Sequence, residues 1–171
     1  MPASVRDTVR GKVSMTPVIA VSAASDSDLT NLIHHDIDKS LRGKLEYGLS
    51  GSDKWYYNSE KDMTDSATYL IGTESFTDGS GPIHLTDDLI KYVYIRNTGT
   101  TDGSTATTAD LYITLNGRDP AINAETIVVS ASESIILKFK NATGVQTGML
   151  YATTTTGTVR NIVAAVINDK G

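Results

Sequence analysis

The sequence predicts an all-β protein, with an antiparallel, jelly-roll-like β-sandwich preceded by an extended N-terminal arm and one short helix. Short β-rich runs separated by turn residues recur from residue 67 onward, and no helical period interrupts residues 85–168. The chain has 171 residues and no cysteine. That length suits one domain with an arm, whose core is large enough to fold without disulfides.

The first third of the chain has a different character. Residues 1–27 contain two prolines, one glycine and no sustained 3.6-residue period, which predicts an extended arm with a short strand at Val18–Val21. Acidic capping residues then precede apolar residues spaced three and four apart, so a helix is expected over Asp28–Leu41. Residues 28–66 are interpreted as this helix and an irregular segment, Tyr47–Asp65, both packing on the sandwich.

The sandwich itself is predicted over residues 67–171. The clearest alternation places Leu111 and Ile113 inward, with Tyr112 and Thr114 facing water. The polar runs Thr98–Thr108 and Thr153–Thr156 are expected to be exposed loops. The predicted strands are Ala67–Thr73, Lys91–Arg96, Asp110–Leu115, Thr126–Ser130, Ile135–Lys140, Met149–Thr155 and Val159–Asn168.

Two runs, Ile90–Ile95 and Val159–Ile167, are apolar on both faces. A sandwich strand normally turns one face to water, so something must cover the second face. A neighbouring subunit, the N-terminal segment and the predicted helix are all consistent with this pattern. For the subunit, the predicted interface residues are Tyr92, Tyr94, Val163, Ala165 and Ile167.

Charge is unevenly distributed along the chain. The net charge is −5 at pH 7, which disfavours nucleic acid or an anionic membrane as a partner of the body. Residues 1–45 carry six cations and five anions, net +1, which leaves −6 for the remainder. Arg6, Arg10 and Lys12 face only one acid in residues 1–25. These three residues are therefore predicted to dock the arm on an acidic neighbouring surface.

The sequence contains few motifs that indicate a catalytic or ligand-binding site. The sequence has no phosphate-binding, dinucleotide-binding, zinc-protease or serine-hydrolase motif, so we expect no enzyme. His34 and Asp38 would lie one helical turn apart and could share an ion, but two ligands do not make a site, and no metal or cofactor is predicted. Trp55-Tyr56-Tyr57 could contact sugars, although adjacent aromatics in a strand would divide between two faces. No apolar stretch approaches the ~18 residues of a membrane span, and a soluble, unexported chain is expected.

Three strings within residues 89–168 resemble small β-sandwich proteins of tailed-phage virions, above all capsid decoration (cement) proteins. The strings are Tyr92–Thr101 with its Asn-Thr-Gly turn, Ala109–Gly117 ending in Asn-Gly, and Ser132–Phe139, followed by the apolar strand to Asn168. Such proteins sit on the outside of the head, commonly as trimers, and use terminal arms to reach the major capsid protein. The resemblance implies a homotrimer at the capsid surface, made in the host cytoplasm, that stabilises the shell by bridging major capsid protein subunits.

Two other classes of protein fit the same sequence. One is a carbohydrate- or receptor-binding sandwich on a phage tail, a fibre or a cell surface, in which the aromatic residues would bind a glycan. The other is a glycan-acting enzyme with carboxylates drawn from Asp110, Asp119, Glu125 and Glu133, although all four lie in turn-like or solvent-facing sequence.

Overall fold

The structure is a computed structural model, and it describes residues 8–13, 43–48, 52–77, 79–120, 126–140 and 145–170. The chain divides into two compact units, Met1–Leu49 and Ser50–Gly171. In the first unit, strands β1 (Thr8–Val13) and β2 (Gly43–Gly48) form an antiparallel ladder in which Val9 lies opposite Tyr47. The expected extended arm thus contains a paired strand, whose partner lies about thirty residues further along the chain.

The second unit consists of β-strands and the loops that connect them. Its described residues include a short 3-10 turn, Thr147–Met149. Its strands are β3 (Asp53–Met63), β4 (Thr68–Tyr69), β5 (Leu89–Asn97), β6 (Leu111–Thr114), β7 (Ile127–Val129), β8 (Ser134–Lys138), β9 (Val145–Gln146), β10 (Tyr151–Thr154) and β11 (Val159–Asn168). Each of the seven predicted runs overlaps one of these strands, although Ala67–Thr73 contains only the two-residue β4 and no run predicted β9.

These strands form two antiparallel sheets. One has the order β3-β11-β5-β8, with β9 also paired to β5, and the other has the order β4-β10-β6-β7. Leaving aside the short β9, the first strand pairs with the last, the second with the second to last, and so on inward to β6 and β7. The unit is therefore one long antiparallel ribbon distributed over two sheets, and the all-β antiparallel prediction is confirmed.

Both sheets contribute to a single hydrophobic cluster. We call the side of each sheet that supplies this cluster its inner face and the opposite side its outer face. Removal of these apolar side chains from water is the main favourable term in the folding of such a unit. The strand residues of the cluster are Tyr56, Met63, Ile90, Val93, Ile95, Leu111, Ile113, Val129, Ala152, Val163, Ala165 and Ile167.

Connections at one end of the five-stranded sheet are held by a clamp on Arg160. Its Nε and Nη2 donate to the two carboxylate oxygens of Asp62, at 2.8 and 3.0 Å, and its Nη1 donates to the carbonyl oxygen of Asp102, at 2.7 Å. Thr105 and Ser104 donate backbone and hydroxyl hydrogen bonds to the Asp102 carboxylate and hold its pKa well below the usual range. The clamp thus ties the end of β3 to the long loop between β5 and β6.

Asn97 organises the turn that follows β5. Its side-chain nitrogen donates to the carbonyl oxygens of Ala109 and Val129, and its side-chain oxygen accepts from the N–H of Gly99. Gly99 has φ +72°, and a Cβ there would lie 2.7 Å from the hydroxyl of Ser132. The Asn-Thr-Gly sequence is therefore required by both backbone conformation and space.

The interpretation of Tyr47–Asp65 as irregular is wrong for residues 53–63, which form β3 and pair with β11. Two features hid this strand from local pattern analysis. Ser59 and Glu60 lie opposite the single residue Ile162, so a bulge breaks the period of two. The partner strand also lies about a hundred residues later. Strand structure therefore begins well before residue 67.

Three threonines are more buried than predicted. Thr114 is fully buried and donates its hydroxyl hydrogen to the carbonyl oxygen of Arg118, so its predicted exposure is wrong. Thr153 and Thr154 belong to β10 and are also buried, and Thr154 donates to the carbonyl oxygen of Gly157. A threonine hydroxyl satisfied by a nearby carbonyl is tolerated in a buried position, and binary patterning does not reveal this.

The predicted helix Asp28–Leu41 and strand Val18–Val21 lie outside the described residues. Within the part of the chain that the structure describes, no helix has the length and apolar character needed to span a bilayer.

Candidate interaction surface

The outer face of the five-stranded sheet carries a cross-strand row of apolar side chains. In register from edge to edge, the row consists of Tyr57 on β3, Ala164 on β11, Tyr94 on β5 and Ile136 on β8. Tyr57 is 49% exposed and the other three are half-buried. Strands lie about 4.8 Å apart, so the two tyrosines stand about 10 Å apart with only an alanine between them. This row is a partly exposed apolar stripe with a short side chain, that of Ala164, between the two tyrosines.

The next row lies two residues further along each strand, and its two central side chains are buried. It consists of Trp55, Val166, Tyr92 and Lys138. Val166 has no exposure and Tyr92 is 3% exposed, although both belong to the outer face. Burial also raises the pKa of Tyr92. The chain itself already covers these two side chains, so the accessible part of the outer face is the Tyr57–Ile136 row and its surroundings.

Acidic and basic residues lie on different strands of the outer face. Glu60 and Asp62 lie exposed on β3, whereas exposed Arg96 and Lys138 lie on β5 and β8. Arg160, on the intervening strand β11, is held by Asp62. The β3 half of the face is therefore acidic at its margin, and the β5–β8 half is basic.

The predicted interface residues divide between the two faces. Val163, Ala165 and Ile167 have no exposure and belong to the hydrophobic cluster between the sheets, so their assignment to a subunit interface is wrong. Tyr92 is covered within the chain, and only Tyr94 is partly exposed on the outer face. Where both faces of a strand are apolar, the sequence does not indicate which set points inward. The outer set on β11 is Ile162, Ala164 and Val166.

Several residues of this surface were missed because β3 was not predicted. The structure places Tyr56 in the core at 2% exposure and turns Trp55 and Tyr57 to the outer face. The expected division of the three aromatics between two faces is thereby confirmed. The signal available in the sequence was the run of three β-forming aromatics itself.

The predicted arm residues lie in the other unit. Arg10 and Lys12 are on β1, where Arg10 lies opposite Glu46 and Lys12 opposite Lys44 in the ladder. Arg6 lies outside the described residues, as do His34 and Asp38, the pair weighed as metal ligands.

A different group of potential ligands lies at the end of the two-sheet unit that holds the beginning of β5. Donor atoms of His84, Asp88 and Asp169 lie within 4.8 Å of one another. The Asp88 carboxylate is fully buried and accepts backbone hydrogen bonds from His84 at 2.8 Å and Lys170 at 3.0 Å. These bonds join the turn before β5 to the end of the last strand. A structural role thus accounts for Asp88, the only fully buried carboxylate of the three.

Three of the four carboxylates considered for glycan chemistry lie among the described residues. Glu133 is exposed and accepts a hydrogen bond from the N–H of Ser130 in the turn before β8. Asp110 and Asp119 flank opposite ends of β6, and Glu125 lies outside the described residues.

Searches of protein-family models, of curated proteins and of solved structures found no match to this chain.

Proposed function

We propose that this protein is a structural virion protein, not an enzyme, that binds the outside of a tailed-phage capsid as a homotrimer. It would stabilise the shell by bridging neighbouring major capsid protein subunits, and its place would be the capsid surface after synthesis in the host cytoplasm. A protein that binds only the assembled shell stabilises that state by mass action.

The order of strand pairing is the observation that supports this proposal most strongly. Pairing of first with last strand, second with second to last, and so inward is what a jelly roll requires, because that fold is one long hairpin rolled over two sheets. Jelly rolls are frequent in viral capsid and lectin domains. We therefore assign the two-sheet unit to a jelly-roll sandwich, consistent with the virion resemblance of residues 89–168.

The N-terminal unit supplies the proposed contact with the capsid. Residues 1–25 carry three cations, Arg6, Arg10 and Lys12, against one acid, a net charge of +2 in a chain whose total is −5. Because Ser50–Gly171 is a compact unit by itself, removal of the first 25 residues should leave the sandwich folded.

Capsid co-sedimentation tests this proposal. The full chain should sediment with empty capsids that lack it, and added salt should weaken binding through charge screening. Deletion of residues 1–25 should preserve the circular dichroism of the sandwich and weaken sedimentation. Undiminished binding of the truncated protein would contradict the role of the arm, and absence of binding by the full chain would contradict the function.

Trp55 and Tyr57 favour one other candidate, a glycan-binding module. They share the outer face, and two aromatics on one face can stack against sugar rings. Glycan-array binding by the wild type that disappears in Trp55→Ala, together with failure of capsid co-sedimentation, would favour this candidate over decoration.

A further inference from the structure

The outer face of the five-stranded sheet has two halves that complement each other. The β3 half presents Tyr57 beside Glu60, and the β5–β8 half presents Ile136 and Tyr94 beside Arg96. Glu60 belongs to the bulge opposite Ile162, and Arg96 lies opposite Ile162 from the other side. Acidic and basic residues therefore occupy the same level of the sheet on opposite halves.

We infer that this face binds a second copy of the chain, with the β3 half of one copy against the β5–β8 half of the next. The inference rests on the trimeric assembly proposed above and identifies the surface that builds it. In a ring of three copies tilted about the threefold axis, each copy uses both halves once. Heterologous contacts of this kind generate closed rings when the rotation between copies completes a circle.

Complementary charge is the argument for a copy of this chain as the occupant. When the two halves meet, Glu60 of one copy approaches Arg96 of the next, whereas like halves would bring equal charges together. Interfaces are steered and selected by such complementarity. The side-chain sizes agree, because the low position at Ala164 lies between tyrosines and can receive a large side chain from the neighbouring copy.

Apolar character adds to the argument. The row from Tyr57 to Ile136 presents four apolar side chains in register, of which three are half-buried and one is half exposed. Interface cores are enriched in aromatic residues, and arginine is common at their hot spots. The acidic half is unsuited to an anionic membrane or nucleic acid.

Exchanging the charges of Glu60 and Arg96 tests whether this surface forms the contact between copies. Size-exclusion chromatography with light scattering should give a trimer for the wild type at micromolar concentration. Glu60→Arg and Arg96→Glu should each raise the dissociation constant of the trimer by about tenfold or more, because each places like charges together. The double variant Glu60→Arg/Arg96→Glu should return to within about threefold of the wild type, because the pair is restored in reverse.

Controls separate assembly from folding. Asp65→Arg makes the same kind of charge change at an exposed residue in the β3–β4 connection, outside the row, and should leave the trimer intact. Circular dichroism checks that each variant is folded. Tyr57→Ser, at the exposed end of the row, should weaken the trimer without reversing any charge.

The oligomeric state of the wild type and of the variants either supports or contradicts the proposed interface. A monomeric or dimeric wild type overturns the ring. A trimer that tolerates both single variants and Tyr57→Ser overturns the assignment of the surface, while capsid co-sedimentation of that trimer would leave the proposed function standing. Conversely, rescue by the double variant without capsid binding would support the surface and contradict the function.

Discussion

The two faces of the five-stranded sheet use the same backbone for different purposes. On β11 the inner residues Val163, Ala165 and Ile167 have no exposure, whereas the outer residues Ile162 and Ala164 remain half-buried. The inner face is mostly aliphatic, apart from Tyr56, and packs against the second sheet. The outer face combines aromatic and small residues, with acidic residues at the β3 edge and basic residues on β5 and β8. The partly exposed apolar row is the feature of the outer face on which the proposed contact with a second copy depends.

Adjacent alanines on β11 give the sharpest test of this difference. Ala165→Asp should prevent folding, because an unpaired carboxylate in the core costs several kcal/mol, against the roughly 5–15 kcal/mol that stabilises a typical domain. Ala164→Asp, one residue away on the outer face, should fold and weaken self-association. Circular dichroism and light scattering measure the two effects. Equal loss of structure in both variants would show that the two faces are not distinct.

The neighbouring tyrosines of β3 extend the comparison to alkaline pH. Burial and the negative charge of Glu74 raise the pKa of Tyr56 from its usual 10.0 to about 12. The folded-state pKa lies above that of the unfolded chain, so the contribution of Tyr56 to stability is complete below pH 10 and is lost as the pH rises toward about 12.

Tyr56→Phe should therefore lose less stability than the wild type between pH 9 and 11.5, as measured by urea unfolding. Tyr57→Phe, at the exposed position on the other face, is the matched control and should follow the wild type. A wild-type loss of stability identical to that of Tyr56→Phe would mean that the inner tyrosine is not closed off from water.

The Arg160 clamp gives a smaller effect at the margin of the outer face. Arg160→Met removes the bidentate contact with Asp62 and the bond to the Asp102 carbonyl, so the melting temperature should fall slightly. The decrease should diminish in high salt, since exposed ion pairs are screened. Arg118→Met, at an exposed arginine in the turn after β6, should leave the melting temperature unchanged. A larger effect at Arg118 would contradict the structural role of Arg160.

The smallest expected effect is that of a chelator. The backbone bonds to Asp88 account for its burial at the opposite end of the sheet, so the melting temperature should not change when EDTA is added. A decrease of several degrees, reversed by a divalent metal, would show that His84, Asp88 and Asp169 bind an ion.

Local pattern predicted most strands of residues 67–168 because turn residues bound each alternating or apolar run, but it did not predict the two-residue β9. It did not predict β3, whose bulge at Ser59–Glu60 breaks the period and whose partner is distant in sequence. Nor did it distinguish Val163 from Ala164, because both faces of β11 are apolar. Which face is inner depends on the second sheet, and this information is absent from any single strand. The candidate surface required the structure for the same reason, since its residues come from four strands.

The proposed function makes this chain a structural component of a phage capsid. Quantitative mass spectrometry of purified virions of a phage whose genome carries the sequence tests this proposal most directly. The account predicts a copy number comparable with that of the major capsid protein, and release of the protein without loss of the tail when the capsid surface is stripped. Absence from virions, or a copy number matching a tail or fibre component, would contradict it.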